Sequence, residues 1–258
     1  MGQLAKIILL GREDSQTAIL YNALCNEFAI AGVVVEQGES RLTFVRRRIK
    51  RLGLRKALGQ IAFRVAVVPV LKRMSRRRIE EILQHAGLDR SPVPEEKLLR
   101  VGSVNSDQAV QVLQELNPGV VVVSGTRIIA ARVLNCVPAV FINIHAGITP
   151  MYRGVHGGYW ALVRHDVEGC GVTVHEVDDG VDTGRILAQD RIAPGGKDNF
   201  ATYGFLQLAG GLPLLKKVVR DAGEGRLQAL VAPQGESRLW THPTLGEYVY
   251  HRVKSGVK

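Results

Sequence analysis

The sequence predicts an α/β fold, an open and mostly parallel sheet with helices on both faces. Three observations predict it. The chain opens as strand, turn, helix, strand, the start of a parallel sheet. Val120 to Val123 are four consecutive valines, the mark of a strand buried on both faces. Strand-length apolar runs then alternate with helix-length amphipathic runs as far as residue 220. The length of 258 residues suits one α/β domain with a small appendage, and an apolar content of 46% supports a large core.

Lys6 to Leu10 reads as the first strand, ended by Gly11. Ser15 is placed to cap a helix carrying Ala18, Leu20, Leu24 and Phe28 at roughly helical spacing. Ala31 to Val35 is the second strand. The turn between them, GREDSQT, has a single glycine. A dinucleotide-binding turn needs three at fixed spacing, so NAD and FAD are not expected, and a Walker loop is missing too. Phe44 to Leu58 and Arg73 to His85 read as helices. The apolar run Ile61 to Leu71 between them holds Pro69, which is expected to break any long helix. Leu98 to Val101 reads as an edge strand. Ser106 starts a helix with Ala109, Val112, Leu113 and Leu116 on one face, and Asn117-Pro118-Gly119 stops it.

Beyond the valine strand, Ile128 to Leu134 reads as a short helix and Val140 to Ile144 as a strand. Residues 156–166 read as a helix, and residues 171–177 and Arg185 to Ile192 as strands. Asn199 to Arg220 reads as a long helix, broken or bent near Gly210, Gly211 and Pro213. The tail from residue 223 mixes strand and loop signals. These elements divide into a core over 1–222 with a basic helical insert at 41–90, and a short C-terminal extension at 223–258.

The net charge of +10 is concentrated. Residues 41–78 carry fourteen Lys or Arg and no Asp or Glu, and the remainder without them stands at −4. That points to a local anion-facing element, with two readings: the plainer is a solvated basic face on helices packed over the sheet edge, and the sharper is a cap for a phosphorylated substrate or an acidic membrane surface. It argues against a whole-surface nucleic-acid binder, since only Phe44 and Phe63 interleave the charges. Cys25, Cys136 and Cys170 have no paired spacing, which fits buried thiols in a reducing, cytoplasmic setting. No apolar run is long enough to span a bilayer. Gly2 is followed by Lys6 where a myristoylation signal wants Ser or Thr.

The chemistry concentrates in residues 140–184. Asn143 and His145 lie at i and i+2 near the end of a strand, so they point to the same side. In open α/β sheets, ligands bind outside the carboxyl ends of strands. An amide donor beside an imidazole suits a carbonyl substrate, because the two can stabilise an oxyanion and move a proton. A carboxylate nearby would orient the ring and raise its pKa. Asp178, Asp179 and Asp182 are the candidates, and Asp182 sits in a glycine-flanked loop that can fold back toward His145. The acidic loop lacks ligand-type spacing, so no metal is expected.

The motif N-I-H-x-G-x-x-P-x-Y-R-G, from Asn143, precedes G-V-T-V-H-x-V-x-x-G-x-D-T-G, from Gly171, by 28 residues. The pair resembles the formyltransferases that use 10-formyltetrahydrofolate, a family that includes glycinamide ribonucleotide, methionyl-tRNA and amino-sugar formyltransferases. The resemblance is specific over 119–195, weak over 1–36 and absent over 40–95. It implies a Rossmann-like formyltransferase core. It places the catalytic Asn, His and Asp on Asn143, His145 and Asp182. The loop whose backbone holds the pterin falls on Thr126, Arg127, Ile128 and Ile129. The acidic loop bordering the folate pocket falls on Val177, Asp178, Asp179, Gly180 and Val181. The family's second histidine falls on His175. It implies 10-formyltetrahydrofolate as co-substrate, with no metal.

The acceptor is read from the differences. The glycine-rich phosphate turn of the glycinamide enzyme is replaced here by GREDSQT. The methionyl-tRNA enzyme carries a further C-terminal β-domain, whereas about 60 residues follow residue 195 here. The favoured acceptor is therefore a nucleotide-linked amino sugar of polysaccharide biosynthesis, with Arg12, Arg153 and the insert as candidate contacts. Methionyl-tRNA or another amine is the alternative within enzymes. A non-catalytic folate-binding or membrane-associated regulatory protein is the alternative outside them. Trp240, Tyr248 and Tyr250 are expected to pack, with base contact or a homodimer interface as the other readings.

Overall fold

The computed structural model describes residues 6–38 and 40–258; Gly2, where the acylation pattern falls, lies outside the described residues. Strand β1 (Ile7–Arg12) leads into helix α1 (Ser15–Cys25) and strand β2 (Ile30–Glu36). Asp14, one residue before the expected cap, holds the start of α1: its carboxylate accepts from the N–H groups of Gln16 and Thr17 at 3.0 Å each. Its backbone is still extended, as a capping residue requires.

The insert follows as α2 (Arg41–Leu52), α3 (Leu54–Ala62), a π-helical turn (Phe63–Val67), α4 (Val68–Met74) and α5 (Arg76–His85). The helix expected over 44–58 is split at Gly53, whose φ of 80° ends α2. Pro69 does not break its helix. Backbone from Leu54 to Met74 runs helically without interruption, because the π turn absorbs the irregularity: Val68 N–H donates to Phe63 O and Pro69 falls in the first turn after it.

Strand β3 (Leu98–Val101), α6 (Asp107–Leu116), β4 (Val120–Ser124), the short α7 (Ala131–Leu134) and β5 (Val140–His145) complete the parallel part. Then come β6 (Arg153–Gly154), α8 (Gly157–Val163), β7 (Gly171–Glu176), β8 (Ile186–Arg191), α9 (Tyr203–Gly223), β9 (Leu239–Trp240) and α10 (Leu245–Ser255). The main sheet has seven strands in the order β3-β2-β1-β4-β5-β7-β8. The first five are parallel; β7 runs antiparallel to β5, and β8 antiparallel to β7. Alternate residues feed two cores. Leu9, Val122, Ile142 and Val174 pack beneath α1 and α9. Leu10, Val121, Val123 and Phe141 pack beneath α6 and α7. Each such fully buried side chain contributes about 1.5–3 kcal/mol.

Two departures from the sequence expectations shape the site. Helix α7 begins at Ala131, not Ile128, because side chains from elsewhere bind the preceding backbone. Asn105 accepts from Ala130 N–H at 2.7 Å and donates to Ile128 O at 2.9 Å, while Glu36 accepts from Arg127 N–H at 3.1 Å. Residues 126–130 therefore stay open at the ends of the strands. Helix α9 is one continuous helix despite Pro213. Gly211 serves close packing rather than a break: a Cβ there would lie 2.6 Å from Ile144 Cδ1 and 2.7 Å from Val172 Cγ2. Gly211→Ala is expected to destabilise by roughly 1–3 kcal/mol through overpacking, outweighing the helix-propensity gain of at most about 1 kcal/mol. Denaturant titration checks this, and an unchanged or raised midpoint would contradict it.

The tail is more ordered than its sequence suggests. Strand β9 pairs with β6, and α10 starts with a capping box between Thr244 and Glu247. Tyr248 is buried against Phe63, and Trp240 stacks between Trp160 and Tyr152, with centroids 5.0 and 5.9 Å away. The insert and tail thus share a third core. Tyr250 is exposed. Among the described residues, no helix is long and apolar enough to cross a membrane.

Candidate active site

The carboxyl end of β5 delivers Asn143 and His145 to one side. The antiparallel register with β7 sets His175 opposite Asn143 and Thr173 opposite His145. The loop after β7 returns to place Asp182 between the two imidazoles. Asp182 Oδ2 lies 3.3 Å from His145 Nδ1, and Oδ1 lies 3.5 Å from His175 Nε2. Asp182 has a φ of 51°, a left-handed conformation that Asp and Asn tolerate better than other residues with side chains. Gly154 N–H donates to Asp182 Oδ2 at 2.8 Å, so the β6 backbone anchors the carboxylate. The three residues predicted as catalytic therefore meet, and His175 joins them.

The hydrogen bonds fix the roles of both rings. A backbone carbonyl only accepts, so His145 Nε2–H donates to Tyr152 O at 2.7 Å, and His175 Nδ1–H donates to Glu176 O at 2.6 Å. The remaining nitrogen of a neutral His175 then accepts from the Asn143 amide at 3.2 Å. That orients the amide and leaves its second N–H to donate to a ligand. His145 is 6% exposed. Burial lowers its pKa, and the opposing pull of Asp182 and of the Tyr152 carbonyl does not restore it. The expected rise is thus overturned: the ring rests neutral between two acceptors that would welcome a second proton. For Asp182, burial alone would raise the pKa. Its contacts with His175 and His145 and the Gly154 N–H outweigh it, and the carboxyl sits below its ordinary range.

The other predicted residues divide between cavities. Thr126, Arg127, Ile128 and Val181 line a cavity of about 570 Å³, together with Arg12 and Gly154. Ile129 instead points into the core, 3% exposed. Val177, Asp178 and Asp179 line a separate space of about 420 Å³ against α7. Asp178 braces its own loop, accepting from Gly180 N–H at 3.1 Å and from the Thr183 hydroxyl at 2.8 Å. Arg12 lies 3.9 Å from buried Glu36. Arg153 donates to Val181 O at 3.2 Å and so holds the loop that carries Asp182. Among the described residues, no group of three or more His, Cys, Asp or Glu is arranged to hold a metal.

Several participants escaped sequence reasoning. Tyr152 O and Gly154 N–H are backbone groups of the Y-R-G turn. Glu36, at the end of β2, ion-pairs with Arg127 at 2.6 Å and binds the backbone of the 126–130 loop. His156 and His242 form a 2.8 Å hydrogen bond beside a third cavity, of about 370 Å³. That cavity adjoins the end of β5 at Ala146 and also takes in Ser15, Gln16, Arg64, Lys72 and Phe200.

Burial and the nearby Arg64 and Arg48 push the His156 pKa down to about 4. Burial, His156 and the same arginines push His242 down to about 2. Both depressed bases bind protons more readily unfolded than folded. Their stabilising effect is complete above the ordinary value of 6.5 and is lost as pH falls below it, toward about 4 for His156. The slope is at most about 1.4 kcal/mol per pH unit for each such group. Tm is expected to drop from pH 6.5 to 4, and His156→Asn, which tolerates the φ of 61°, to flatten that drop. A Tm independent of pH across this window would contradict the assignment.

A family model described as formyl transferase matches residues 57–199, more than half of the chain. The match starts inside the insert, in a segment that shows no resemblance by motif. A methionyl-tRNA formyltransferase from Desulfotalea psychrophila is 31% identical over 171 residues, covering 63% of this chain and 50% of that protein. The chain spans about half the length of the curated relatives it matches. Among solved structures, glycinamide ribonucleotide transformylase 1 from Symbiobacterium toebii aligns with a TM-score of 0.59 at 20% identity, over 90% of this chain and 93% of that one. A sugar N-formyltransferase from Shewanella aligns with a TM-score of 0.55 at 16% identity, over 91% and 76% of the two chains. The solved structures share the fold, and the matched core carries the Asn143, His145 and Asp182 cluster: the chain belongs to the formyl transferase family.

Proposed function

We propose that the chain is an N-formyltransferase that moves a formyl group from 10-formyltetrahydrofolate to the amine of a nucleotide-linked amino sugar. The observation that carries this reading is the convergence of Asn143, His145 and Asp182 within hydrogen-bonding reach at the end of β5. The donor assignment is supported by the 570 Å³ cavity, where Thr126, Arg127 and Ile128 face Val181 and Gly154. The acceptor is read from the 370 Å³ cavity, which Ala146 lines and which shares His242 with the donor cavity. Arg64 and Lys72 suit phosphates, and Phe63, Phe200 and Phe205 suit a flat base.

In this reading the acceptor nitrogen attacks the formyl carbon while the bond from that carbon to the donor nitrogen breaks. Asn143 donates its second amide N–H to the oxyanion that develops on the formyl oxygen. The Asp182–His145 pair takes the proton released by the attacking amine and returns it to the departing donor nitrogen. A resting neutral His145 can accept that proton. Once charged it satisfies both Asp182 and Tyr152 O and places positive charge beside the oxyanion.

Methionyl-tRNA is the second reading, favoured by the identity to methionyl-tRNA formyltransferases and by the basic insert. Incubating the protein with 10-formyltetrahydrofolate and a panel of amino-sugar nucleotides, charged tRNA and simple amines, while following tetrahydrofolate release, separates them. Turnover with an amino-sugar nucleotide is expected. Turnover only with charged tRNA would replace the acceptor. Tight folate binding without turnover on any amine would mark a non-catalytic folate-binding protein.

A further inference from the structure

Helix α2 divides into two basic faces. Arg47, Arg48 and Arg51 line the 570 Å³ cavity. Leu42, Arg46 and Lys50 stand at i, i+4 and i+8, so they share another face, and all three are exposed. The helical backbone over residues 54–74 repeats that mixture along about 30 Å. Leu54 and Leu58 form one exposed i, i+4 pair, Val70 and Met74 form another, and Val65 is exposed between them. Arg55, Lys56 and Arg73 are exposed beside them. No residue from 41 to 78 is acidic. Among the described residues, no carboxylate pairs with Arg46, Lys50, Arg55, Lys56, Arg73 or Arg76. Six of the fifteen large apolar side chains that stand exposed fall within residues 42–74. Single exposed hydrophobics need no explanation, but a concentration of them on one basic insert does.

Whatever covers this surface must take up hydrocarbon and carry negative charge. A second copy would set basic residues against basic residues. A nucleic acid would answer the charge but leave leucine, valine and methionine against phosphate and sugar. The insert also presents no free aromatic ring for bases to stack on: Phe63 is buried, and Phe44 lies beneath the guanidinium groups of Arg48 and Arg64. An anionic bilayer answers both demands, since apolar side chains enter the boundary between headgroups and acyl chains while lysines and arginines meet the lipid phosphates. We propose that the exposed face of α2, α3 and α4 is a membrane-docking surface that seats the protein on anionic lipid. The contact lies on the bilayer and does not cross it. The same stretch lines the 370 Å³ cavity through Phe63, Arg64, Val68 and Lys72, so docking brings that cavity to the membrane.

The test is co-sedimentation of the full chain with vesicles of phosphatidylcholine alone, and of phosphatidylcholine and phosphatidylglycerol in equal parts, at low and high salt. Binding to the anionic vesicles is expected to be about tenfold tighter or better, and to weaken as salt rises. Leu54→Gln/Leu58→Gln is expected to lower that affinity about tenfold with Tm unchanged, because both side chains are exposed. Arg46→Gln/Lys50→Gln is expected to lower it by a similar factor, roughly tenfold, and to flatten the salt dependence. Arg132→Gln/Arg226→Gln removes the same charge outside the insert and is expected to bind as the unaltered protein does. Equal or absent binding to the two kinds of vesicle would overturn the proposal. So would a Leu54→Gln/Leu58→Gln protein that binds undiminished, or an Arg132→Gln/Arg226→Gln protein that loses as much as Arg46→Gln/Lys50→Gln. Tight binding of tRNA without vesicle binding would give the face to RNA. A dimer that Leu54→Gln/Leu58→Gln dissociates, again without vesicle binding, would give it to a second copy. Either result overturns membrane docking, and none of them touches the transfer chemistry.

Discussion

Asp182→Asn is expected to lower turnover by about a hundredfold or more and to leave the fold intact. The substitution is nearly isosteric. Asparagine is also the residue that best shares aspartate's tolerance of the left-handed backbone, so the φ of 51° is not strained. What changes is the charge between two histidines. The amide cannot serve as counter-charge to a protonated His145, whose Nδ1 lies 3.3 Å away, nor take part in the proton relay. An amide NH₂ turned toward Gly154 N–H would also set donor against donor. His145→Ala removes the other half of the pair and is expected to cost a similar factor. Steady-state kinetics with a thermal melt of each variant checks both. Near-normal kcat in either, with Tm preserved, overturns the relay assignment.

Asn143→Ala is expected to lower kcat by roughly a hundred- to a thousandfold, the usual loss for one oxyanion donor, with little change in donor affinity. The sharper comparison is Asn143→Asp. It keeps the volume but sets a carboxylate where negative charge develops, close to Asp182. The aspartate variant should therefore be slower than the alanine variant. If it is equal or faster, Asn143 is not donating to an oxyanion. His175 supplies a further check. Its Nε2 accepts from the Asn143 amide at 3.2 Å and so fixes the amide's direction, which makes it a positioning residue. His175→Gln should lower kcat less than Asn143→Ala does.

Much of this site was legible in the sequence because it depends on short-range patterns. The i, i+2 spacing of Asn143 and His145 follows from strand geometry alone, and the valine run of β4 marks the centre of the sheet. The glycines around Asp182 allowed the loop to fold back. What was not legible depends on contacts between distant segments. Residues 128–130 look helical by composition but are held open by Asn105 and Glu36, which no local pattern connects to them. His145 was expected to rise in pKa because a carboxylate is nearby; how deeply the ring is buried could not be read from the strand. Pro69 breaks helices in general, and the π turn that accommodates it has no simple sequence signature. The arginine face of α2 could be drawn from spacing, but the cavity it lines could not. That is set by how the insert seats on the tail, where Gln60 reaches Thr241 and His242, some 181 residues away. The capping box of α10 was present in the sequence at Thr244 and Glu247, and it is the signal that identifies that helix.

The central claim is that Asn143, His145 and Asp182 carry a formyl group from folate to an amine. Its most direct test supplies 10-formyltetrahydrofolate with an isotopically labelled formyl group, together with an amino-sugar nucleotide, and follows the label by NMR. With the unaltered protein the label should move onto the acceptor nitrogen as a formamide while tetrahydrofolate accumulates in equal amount; with Asp182→Asn that transfer should all but stop, although the donor still binds. Label that stays on the folate with every amine offered, or an Asp182→Asn protein that transfers it as fast as the unaltered one, would contradict the claim.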